Sequence, residues 1–290
     1  MMAIRKTKSV NVFLLMAALP LGAQAAASVD QAVGTSAAPH SVSAERAPTM
    51  ALGGGAIVGP LYEGSSRYGV LPLLVAKAVI PTQDWGTFTA AFPEGLRWDL
   101  PGASSLGLAL LAGYDFGRKE KIRTLGGSDS HLRGMGDLDG TAMVGAEAYW
   151  RLSAGKLFVR GWQAARSRDY GGDDLGHTAY LEAGASGSLP LSSTVTLDSA
   201  LYGTWSDNHD MMARFGVTGQ QSARSGFNEY HTGGGMRDVT LKTGVTVQLQ
   251  PQISLQGGVR MYALTSGARR SPLTDNAVGA GFYLNALYQF

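Results

Sequence analysis

Histidine is the side chain best suited to acid–base chemistry near neutral pH, and this sequence has five. They are His40, His131, His177, His209 and His231. The segment Asn208-His209-Asp210 most resembles part of a hydrolytic site, since a catalytic histidine needs an orienting acid and a nucleophile within hydrogen-bond reach. Adjacent loop residues rarely converge on one substrate atom, and the sequence has no Gly-x-Ser-x-Gly motif. We therefore predict a solvated loop tip here and no catalytic residues.

Two other segments contain only part of a ligand-binding motif. The run Gly53-Gly54-Gly55 lacks the strand before it and the helix after it that a phosphate-binding loop requires; Pro60 follows instead. The segment Asp137-Leu138-Asp139-Gly140 resembles half of an EF-hand calcium loop, but the distal glutamate is missing. The sequence thus predicts neither a cofactor nor a metal site.

The N-terminus has the pattern of a secretory signal peptide. Arg5, Lys6 and Lys8 precede an apolar stretch, residues 10–21, and a run of small residues follows. We predict a signal peptide at 1–25 and a flexible periplasmic leader at 26–48. Cleavage removes three of the 24 basic residues and none of the 22 acidic ones, which changes the formal net charge from +2 to −1. The mature chain therefore offers no basic surface for nucleic acid.

From residue 49 onward, apolar and polar residues alternate over long segments. In residues 238–249, for example, Val239, Leu241, Val245 and Val247 share one face, while Lys242 lies on the other. Strict alternation predicts strands with one apolar face. Most segments have ten to thirteen residues, which suits a strand that crosses the outer membrane better than a strand of a soluble sandwich.

The predicted connections alternate between long and short, as in an outer-membrane barrel with long extracellular loops and short periplasmic turns. The sequence therefore predicts an all-β protein, a transmembrane antiparallel up-and-down β-barrel formed by residues 49–290. Ten strands are clear, and residues 84–100 hold either two short strands or none. Because both termini should be periplasmic, the strand number is even; twelve is our prediction and ten the alternative.

The last segment ends on alternating aromatic residues, with Tyr288 and Phe290 on one face. A terminal phenylalanine on such a strand resembles the signal that the outer-membrane barrel assembly machinery recognises. The sequence therefore predicts this machinery as a partner and the outer membrane of a Gram-negative bacterium as the location, with outer-membrane lipid and lipopolysaccharide as surroundings.

Three segments resemble motifs of the MltA-interacting protein / OmpV family of outer-membrane proteins. They are Tyr62-Glu63-Gly64-Ser65, continued by Tyr68 and by Leu71-Pro72; Gly134–Thr141, which includes Asp137, Asp139 and Gly140; and Phe215-Gly216-Val217-Thr218 with the residues up to Tyr230. The resemblance extends over the chain from about Met50. It implies a barrel that acts as a scaffold between a murein transglycosylase and a murein synthase.

The sequence is also compatible with two other functions, that of a narrow passive pore and that of a lipid-modifying or proteolytic barrel enzyme. The inward positions carry Glu147, Glu182, Asp198, Lys242 and Arg260 among small polar residues, which favours a narrow or blocked lumen.

The register of one hairpin depends on Arg160. An arginine that faces lipid at the bilayer midplane costs roughly 2–4 kcal/mol, so we place Arg160 inside, with Leu157 and Val159 outside. A tight turn over residues 152–155 then sets Glu147 opposite Arg160 as a charge pair in the lumen.

Aromatic side chains should gather at the two membrane interfaces. We expect Tyr114, Phe116 and Trp205 near the outer rim, and Trp150, Tyr288 and Phe290 near the periplasmic rim.

Overall fold

The computed structural model describes residues 47–102 and 105–290, in which twelve strands form one closed antiparallel barrel. This confirms the predicted fold class and strand number. The predicted signal peptide and the leader up to residue 46 lie outside the described residues. The barrel strands are β1 (Thr49–Pro60), β2 (Tyr68–Pro81), β3 (Thr87–Phe92), β4 (Gly95–Asp99), β5 (Leu106–Asp115), β8 (Thr141–Leu152), β9 (Gly155–Ala164), β12 (Ala179–Pro190), β13 (Val195–Ser206), β14 (Gly235–Gln250), β15 (Ile253–Leu264) and β16 (Val278–Gln289).

Each barrel strand pairs with the next barrel strand along the chain, and β16 pairs with β1 to close the ring, with Ala51 opposite Gln289. The ambiguous segment 84–100 forms the two short strands β3 and β4. Closure leaves no free sheet edge along the ring, except where one strand extends beyond the end of its neighbour.

The apolar face of the strands points outward, as the alternation predicts. Leu241 and Val245 are exposed on the outer wall, whereas Asp238 and Thr240 of the same strand are buried. In β9, Leu157 and Val159 are exposed and Phe158 is buried. The outer wall is therefore the surface that lipid covers.

The inner wall explains many of the 40 glycines of the chain. Five inward aromatic side chains each lie directly across from a glycine on a neighbouring strand. The pairs are Tyr149–Gly107, Trp162–Gly145, Tyr202–Gly184, Tyr262–Gly279 and Tyr283–Gly258. A β-carbon at any of these glycines would come within 3.0 Å of the aromatic residue. These aromatic residues thus lie against the adjacent strand and occupy space inside the barrel.

The two ends of the barrel differ in their connections. At the turn end the connections are short; they comprise residues 82–86, 100–105, 153–154, 191–194 and 251–252. At the loop end five connections are longer; they comprise residues 61–67, 116–140, 165–178, 207–234 and 265–277. The sixth loop-end connection, Pro93-Glu94, is a tight turn.

The long connections carry secondary structure of their own, which the sequence did not predict. Two form hairpins, β6 (Ile122–Thr124) with β7 (Gly127–Asp129) and β10 (Asp169–Tyr170) with β11 (Asp173–Asp174). Two others contain helices, α1 (Asn208–Phe215) and α2 (Gly219–Ser225) in residues 207–234 and α3 (Ser266–Arg270) in residues 265–277. None of the helices in residues 47–102 and 105–290 has the length and hydropathy of a membrane span.

The two predicted groups of aromatic residues lie at opposite ends of the barrel. Tyr114 and Trp205 are near the loop-end termini of β5 and β13, and Phe116 follows β5. Trp150 is near the turn-end terminus of β8, and Tyr288 and Phe290 are at that of β16, where their rings meet edge to face at 5.0 Å.

Candidate functional site: a charged lumen beneath a loop cap

The five long connections pack together over the barrel mouth as one structure, which we call the loop cap. Its core is apolar and contains side chains from all five connections, among them Tyr62, Leu138, Tyr170, Val217 and Leu273. All three family-motif segments contribute to this cap. A packed core of this kind is unlike the solvated loop tips that the sequence predicted.

Tyr62 is 6% exposed and lies at the centre of this core. The Arg118 guanidinium lies between two aromatic rings, 5.6 Å from the Tyr62 centroid and 5.2 Å from that of Tyr170, and it also donates a hydrogen bond to the Tyr170 hydroxyl. Burial raises the pKa of Tyr62 to about 12. Both tyrosines therefore stay neutral and act as packing partners of a cation.

Glu63 connects the cap to the barrel wall, since its carboxylate accepts a hydrogen bond from Arg260 of β15 at 3.1 Å and lies 3.9 Å from Arg237 of β14. Gly64 next to it has a φ of +92°, and its N–H donates to the Tyr262 hydroxyl at 3.0 Å. The N–H of Ser65 donates to the Tyr62 carbonyl at 3.0 Å. The first motif is thus a tight turn that directs one carboxylate into the lumen.

The second motif segment anchors the connection between β5 and β8. Asp137 accepts hydrogen bonds from the Glu120 main chain and from Lys119, both at 3.0 Å. The Asp139 carbonyl accepts from Arg168 at 2.7 Å, while the Asp139 carboxylate is largely exposed. A β-carbon at Gly140 would lie 2.7 Å from the Tyr114 hydroxyl, so glycine allows this close contact.

The third motif segment ends α1. Phe215 is 1% exposed and packs with Met211, Tyr262 and Leu264, which joins the helix to the inner wall. Gly216 caps the helix, and its N–H donates to the Met212 carbonyl at 2.9 Å. The helix begins with an Asp207 side chain that accepts from the Asp210 N–H, which is the usual N-cap arrangement.

Asn208-His209-Asp210 opens this helix and is not a solvated loop tip; that prediction is wrong. Asp210 is 1% exposed and forms ion pairs with Arg214 and Arg237, both at 2.9 Å. The His209 ring contacts the Leu175 carbonyl. The helix directs the aspartate into the barrel mouth, where Arg214 of the same helix and Arg237 of β14 neutralise it.

Asp210 belongs to a set of four acidic residues and four arginines, which we call the mouth cluster. Its members are Glu63, Asp115, Arg168, Asp210, Arg214, Arg237, Asp238 and Arg260. One continuous path runs from Asp115 of β5 through Arg214 at 2.8 Å, Asp210 at 2.9 Å and Arg237 of β14 at 2.9 Å. Since β5 and β14 lie five positions apart in a ring of twelve, this path crosses the mouth.

The cluster is electrically balanced, because its four acidic residues face four arginines. Burial alone would raise the pKa of the Asp210 carboxyl, but Arg214 and Arg237 hold it below its usual value. Breaking such a buried pair is far costlier than breaking a surface pair, because one charge stays buried without a counter-charge.

A second group of charges, the lumen cluster, lies on the inner wall of β4, β8, β9 and β12. Its members are Arg97, Asp99, Glu147, Lys156, Arg160 and Glu182. The side chain of Glu147 is fully buried and accepts from Lys156 at 2.6 Å and from Arg97 at 3.0 Å.

The structure sets Glu147 directly opposite Arg160, and Arg151 opposite Lys156, across β8 and β9. The closest approach of Glu147 and Arg160 is 3.9 Å, while Arg160 donates a shorter bond, at 2.5 Å, to Glu182 of β12. Sequence reasoning placed three members of the lumen cluster inside the barrel, Glu147, Arg160 and Glu182, and missed the shorter bonds that Glu147 and Arg160 make. Lys156 had a local signal, since the same hairpin register puts it inside; Arg97, fifty residues from Glu147, had none.

No group of three or more His, Asp and Glu side chains in residues 47–102 and 105–290 is arranged to hold a metal ion. His177 contacts the Ala164 carbonyl at 3.1 Å, and His231 contacts Glu229 at 2.8 Å on the surface. The described groups at the mouth form ion pairs and pack against one another.

Several solved outer-membrane barrels are similar in fold. The translocator domain of the autotransporter NalP from Neisseria meningitidis is 14% identical over 87% of this chain and 90% of that chain, with a TM-score of 0.44. An outer membrane channel from Pseudomonas putida F1 is 12% identical over 86% and 97%, with a TM-score of 0.41. The outer membrane channel DcaP of Acinetobacter baumannii is 9% identical over 84% and 96%, with a TM-score of 0.36. No curated protein is significantly similar in sequence.

The family model described as MltA-interacting protein MipA matches residues 52–290, which is nearly the whole barrel and the entire loop cap. This confirms the resemblance of the three motif segments, whose residues build the cap and its connection to the lumen. The chain belongs to the MltA-interacting protein MipA family of outer-membrane barrel proteins.

Proposed function

We propose that this protein is a non-enzymatic, non-conducting outer-membrane barrel that acts as an adaptor for murein enzymes. The partners are a murein transglycosylase, which the family name supports, and a murein synthase that works with it. The barrel anchors these enzymes to the outer membrane and performs no transport of its own.

The observation that carries this proposal is the path of ion pairs from Asp115 to Arg237 across the mouth. The apolar core of the loop cap lies over it, and five inward aromatic side chains occupy space inside the barrel. A small barrel can be filled by its inward side chains, and the charged bridge adds a barrier that a solute must break to pass. This arrangement favours a structural role for the barrel rather than a role as a pore.

The surroundings of three of the four described histidines support the absence of catalysis. His209 and His177 contact main-chain carbonyls, and the exposed His231 contacts Glu229. A histidine that activates a nucleophile must reach a hydroxyl or a water beside the substrate. Among the described residues these contacts serve the cap instead.

Conductance measurements test the proposal that the barrel does not conduct. Purified protein in a planar bilayer should give no steady openings at neutral pH, whereas stable unitary currents would contradict a closed lumen. A variant that lacks cap residues 208–230 provides the control for successful insertion, because removal of α1 and α2 should open the mouth and produce current.

Cross-linking in the membrane tests the adaptor role. Murein enzymes work in the periplasm, which the turn end of an outer-membrane barrel faces. Photoreactive residues at Trp85 and Leu191, both exposed at the turn end, should form adducts with a murein transglycosylase in cells. The same residue at Arg270, exposed in the loop cap, is the matched control and should form none. Adducts of equal yield at both ends, or none at the turn end, would contradict the proposal.

A further inference from the structure

The barrel wall has one notch, at the loop end between β2 and β5. The pairing of β2 with β3 stops at Ala76 opposite Phe92, and that of β4 with β5 stops at Leu96 opposite Ala112. On either side the wall continues, since β2 extends to Tyr68 and β5 to Asp115. The tight turn Pro93-Glu94 forms the floor of this notch.

The β2 side of the notch is an exposed sheet edge. The Val70 carbonyl accepts a hydrogen bond from the Leu125 N–H at 2.9 Å, so the main-chain groups of Val70 face the notch. Because alternate residues of a strand direct their main-chain groups to the same side, those of Pro72 and Leu74 face it too. Proline has no N–H to leave unpaired and is tolerated at such an edge. The sequence is therefore adapted to an open edge here.

The β6–β7 hairpin forms the roof of the notch, and its residues alternate in exposure. Ile122 is buried in the cap core, and a β-carbon at Gly69 would lie 2.5 Å from Thr124, which fixes the hairpin against β2. Lys121, Arg123 and Leu125 are exposed. Two cations and one leucine therefore lie on the outer side of the hairpin, above the notch.

The rim of the notch on the membrane side is apolar. Leu74 is 61% exposed, Leu125 66%, and Phe92 and Tyr114 45% each. The Phe116 ring lies 6.4 Å from that of Phe92 at the end of β3 and 5.0 Å from that of Tyr114 on β5, so three aromatic rings line the floor and the β5 side of the rim. This rim is continuous with the lipid-facing wall.

We propose that the notch binds one phosphorylated, multiply acylated glycolipid of the outer leaflet, of the lipopolysaccharide class. An acyl chain lies between Leu74 and Phe92, and Lys121 and Arg123 bind the phosphate groups above it. Tyr68 and Tyr114 lie at the loop ends of β2 and β5, on the two sides of the notch, and interfacial aromatics mark the boundary of the hydrocarbon region. At that depth the acyl linkages of the lipid offer donors and acceptors to the open edge at Pro72 and Leu74, which a bare hydrocarbon chain cannot do.

The test uses the full-length protein in detergent, with diphosphorylated lipid A as the probe and a photoreactive residue at Leu74. The matched position is Leu241, which is also exposed but lies in a wall paired on both sides. Adduct formation with lipid A should saturate at position 74 and not at position 241. Adducts of equal yield and equal saturation at the two positions would overturn the proposal.

Charge variants test the phosphate contacts. A Lys or Arg near an anionic surface contributes about fivefold in affinity, so the double variant Lys121→Gln/Arg123→Gln should weaken binding about 25-fold. The double variant Arg269→Gln/Arg270→Gln removes two exposed cations elsewhere in the cap and should leave binding unchanged. Equal effects of the two double variants would overturn the proposal. Equal binding of dephosphorylated lipid A, or equally strong competition by phosphatidylglycerol, would overturn the assignment to a phosphorylated glycolipid.

Discussion

Tyr262 lies directly across from Gly279, and its ring occupies the place where a β-carbon of residue 279 would be, 2.4 Å from the ring carbon Cζ. The hydroxyl of the same tyrosine accepts the hydrogen bond from the Gly64 N–H. A glycine on the inner wall thus fixes the position of a ring, and the ring fixes the first motif segment of the loop cap.

Replacement of this glycine should therefore loosen the cap. Gly279→Ala forces the Tyr262 ring to move, and overpacking of this kind typically costs roughly 1–3 kcal/mol. We expect a lower midpoint of urea unfolding in lipid vesicles. Gly281→Ala on the same strand is the control, because its nearest neighbouring atom is an ordinary 3.5 Å away. Equal shifts for both variants would disprove the role of the ring.

Asp210 is the central anion of the path across the mouth. Asp210→Asn leaves Arg214 and Arg237 each without one counter-charge, and breaking a buried pair typically costs about 3–5 kcal/mol. We expect proteolysis within the cap and intermittent conductance in planar bilayers. Asp139→Asn is the control, since this carboxylate is 72% exposed and its contact with Lys119 is 3.6 Å long; exposed pairs contribute at most about 1 kcal/mol. An Asp210→Asn variant that resists proteolysis and shows no conductance would show that the mouth cluster does not close the lumen.

The cap should also open in acid. The pKa of Asp210 is held down by Arg214 and Arg237 against the effect of burial, and that of Asp275 by hydrogen bonds from Ser66 against the same effect. A lowered pKa in the folded state means that the stabilisation is complete above the ordinary value of 3.8 and is lost as the pH falls below it.

A fluorophore on a cysteine introduced at Asn228 reports on this opening, since the chain has no cysteine of its own. We expect a constant signal from pH 7 to about pH 4 and a transition below that, in the range set by the lowered carboxyl pKa values. In Asp210→Asn the transition should be smaller, because one of the titrating groups is gone. A transition centred near pH 6 would instead point to a histidine.

Glu147 holds the lumen cluster together. Glu147→Gln leaves Lys156 and Arg97 in the lumen without their shared carboxylate, so the barrel should unfold at a lower urea concentration. Glu229→Gln removes a carboxylate whose side chain is 54% exposed and is the matched control. The double variant Glu147→Gln/Lys156→Met should recover part of the loss, because it removes the cation as well. No recovery would show that packing, rather than charge, explains the effect.

Export should shorten the chain. We predict that the protein isolated from outer membranes begins at Ala26 or Ser28, because the run of small residues at 22–27 follows the apolar stretch. Intact-mass measurement distinguishes these ends from the full chain. An unprocessed Met1 in the membrane fraction would disprove the predicted signal peptide.

The strands of the barrel were predictable because each long segment repeats the same alternation many times. The segment 84–100 was harder, since β3 and β4 have only six and five residues and Pro93 interrupts their pattern. Only the requirement for an even number of strands limited the prediction for this segment to two strands or none. The ring closure then follows without further information.

The loop cap was not predictable from local pattern. The helices α1 and α2 have eight and seven residues, too few to show a helical period clearly. Asp210 looked like a solvated residue because charged side chains are rarely buried without partners, and its partner Arg237 is 27 residues away. Contacts between distant loops decide which charges are buried, and one sequence does not contain those contacts as a pattern.

The pairing of β16 with β1 has a consequence for biogenesis. The strand that completes the ring is the last of the twelve barrel strands in chain order, so the ring cannot close until all twelve are present. Until the ring closes, β1 and the strand at the other end of the sheet each present an open edge, and such edges readily pair with other chains. Because an open sheet edge leaves main-chain groups without partners in the hydrocarbon region of a bilayer, closure of this ring and insertion of its strands into the bilayer are coupled.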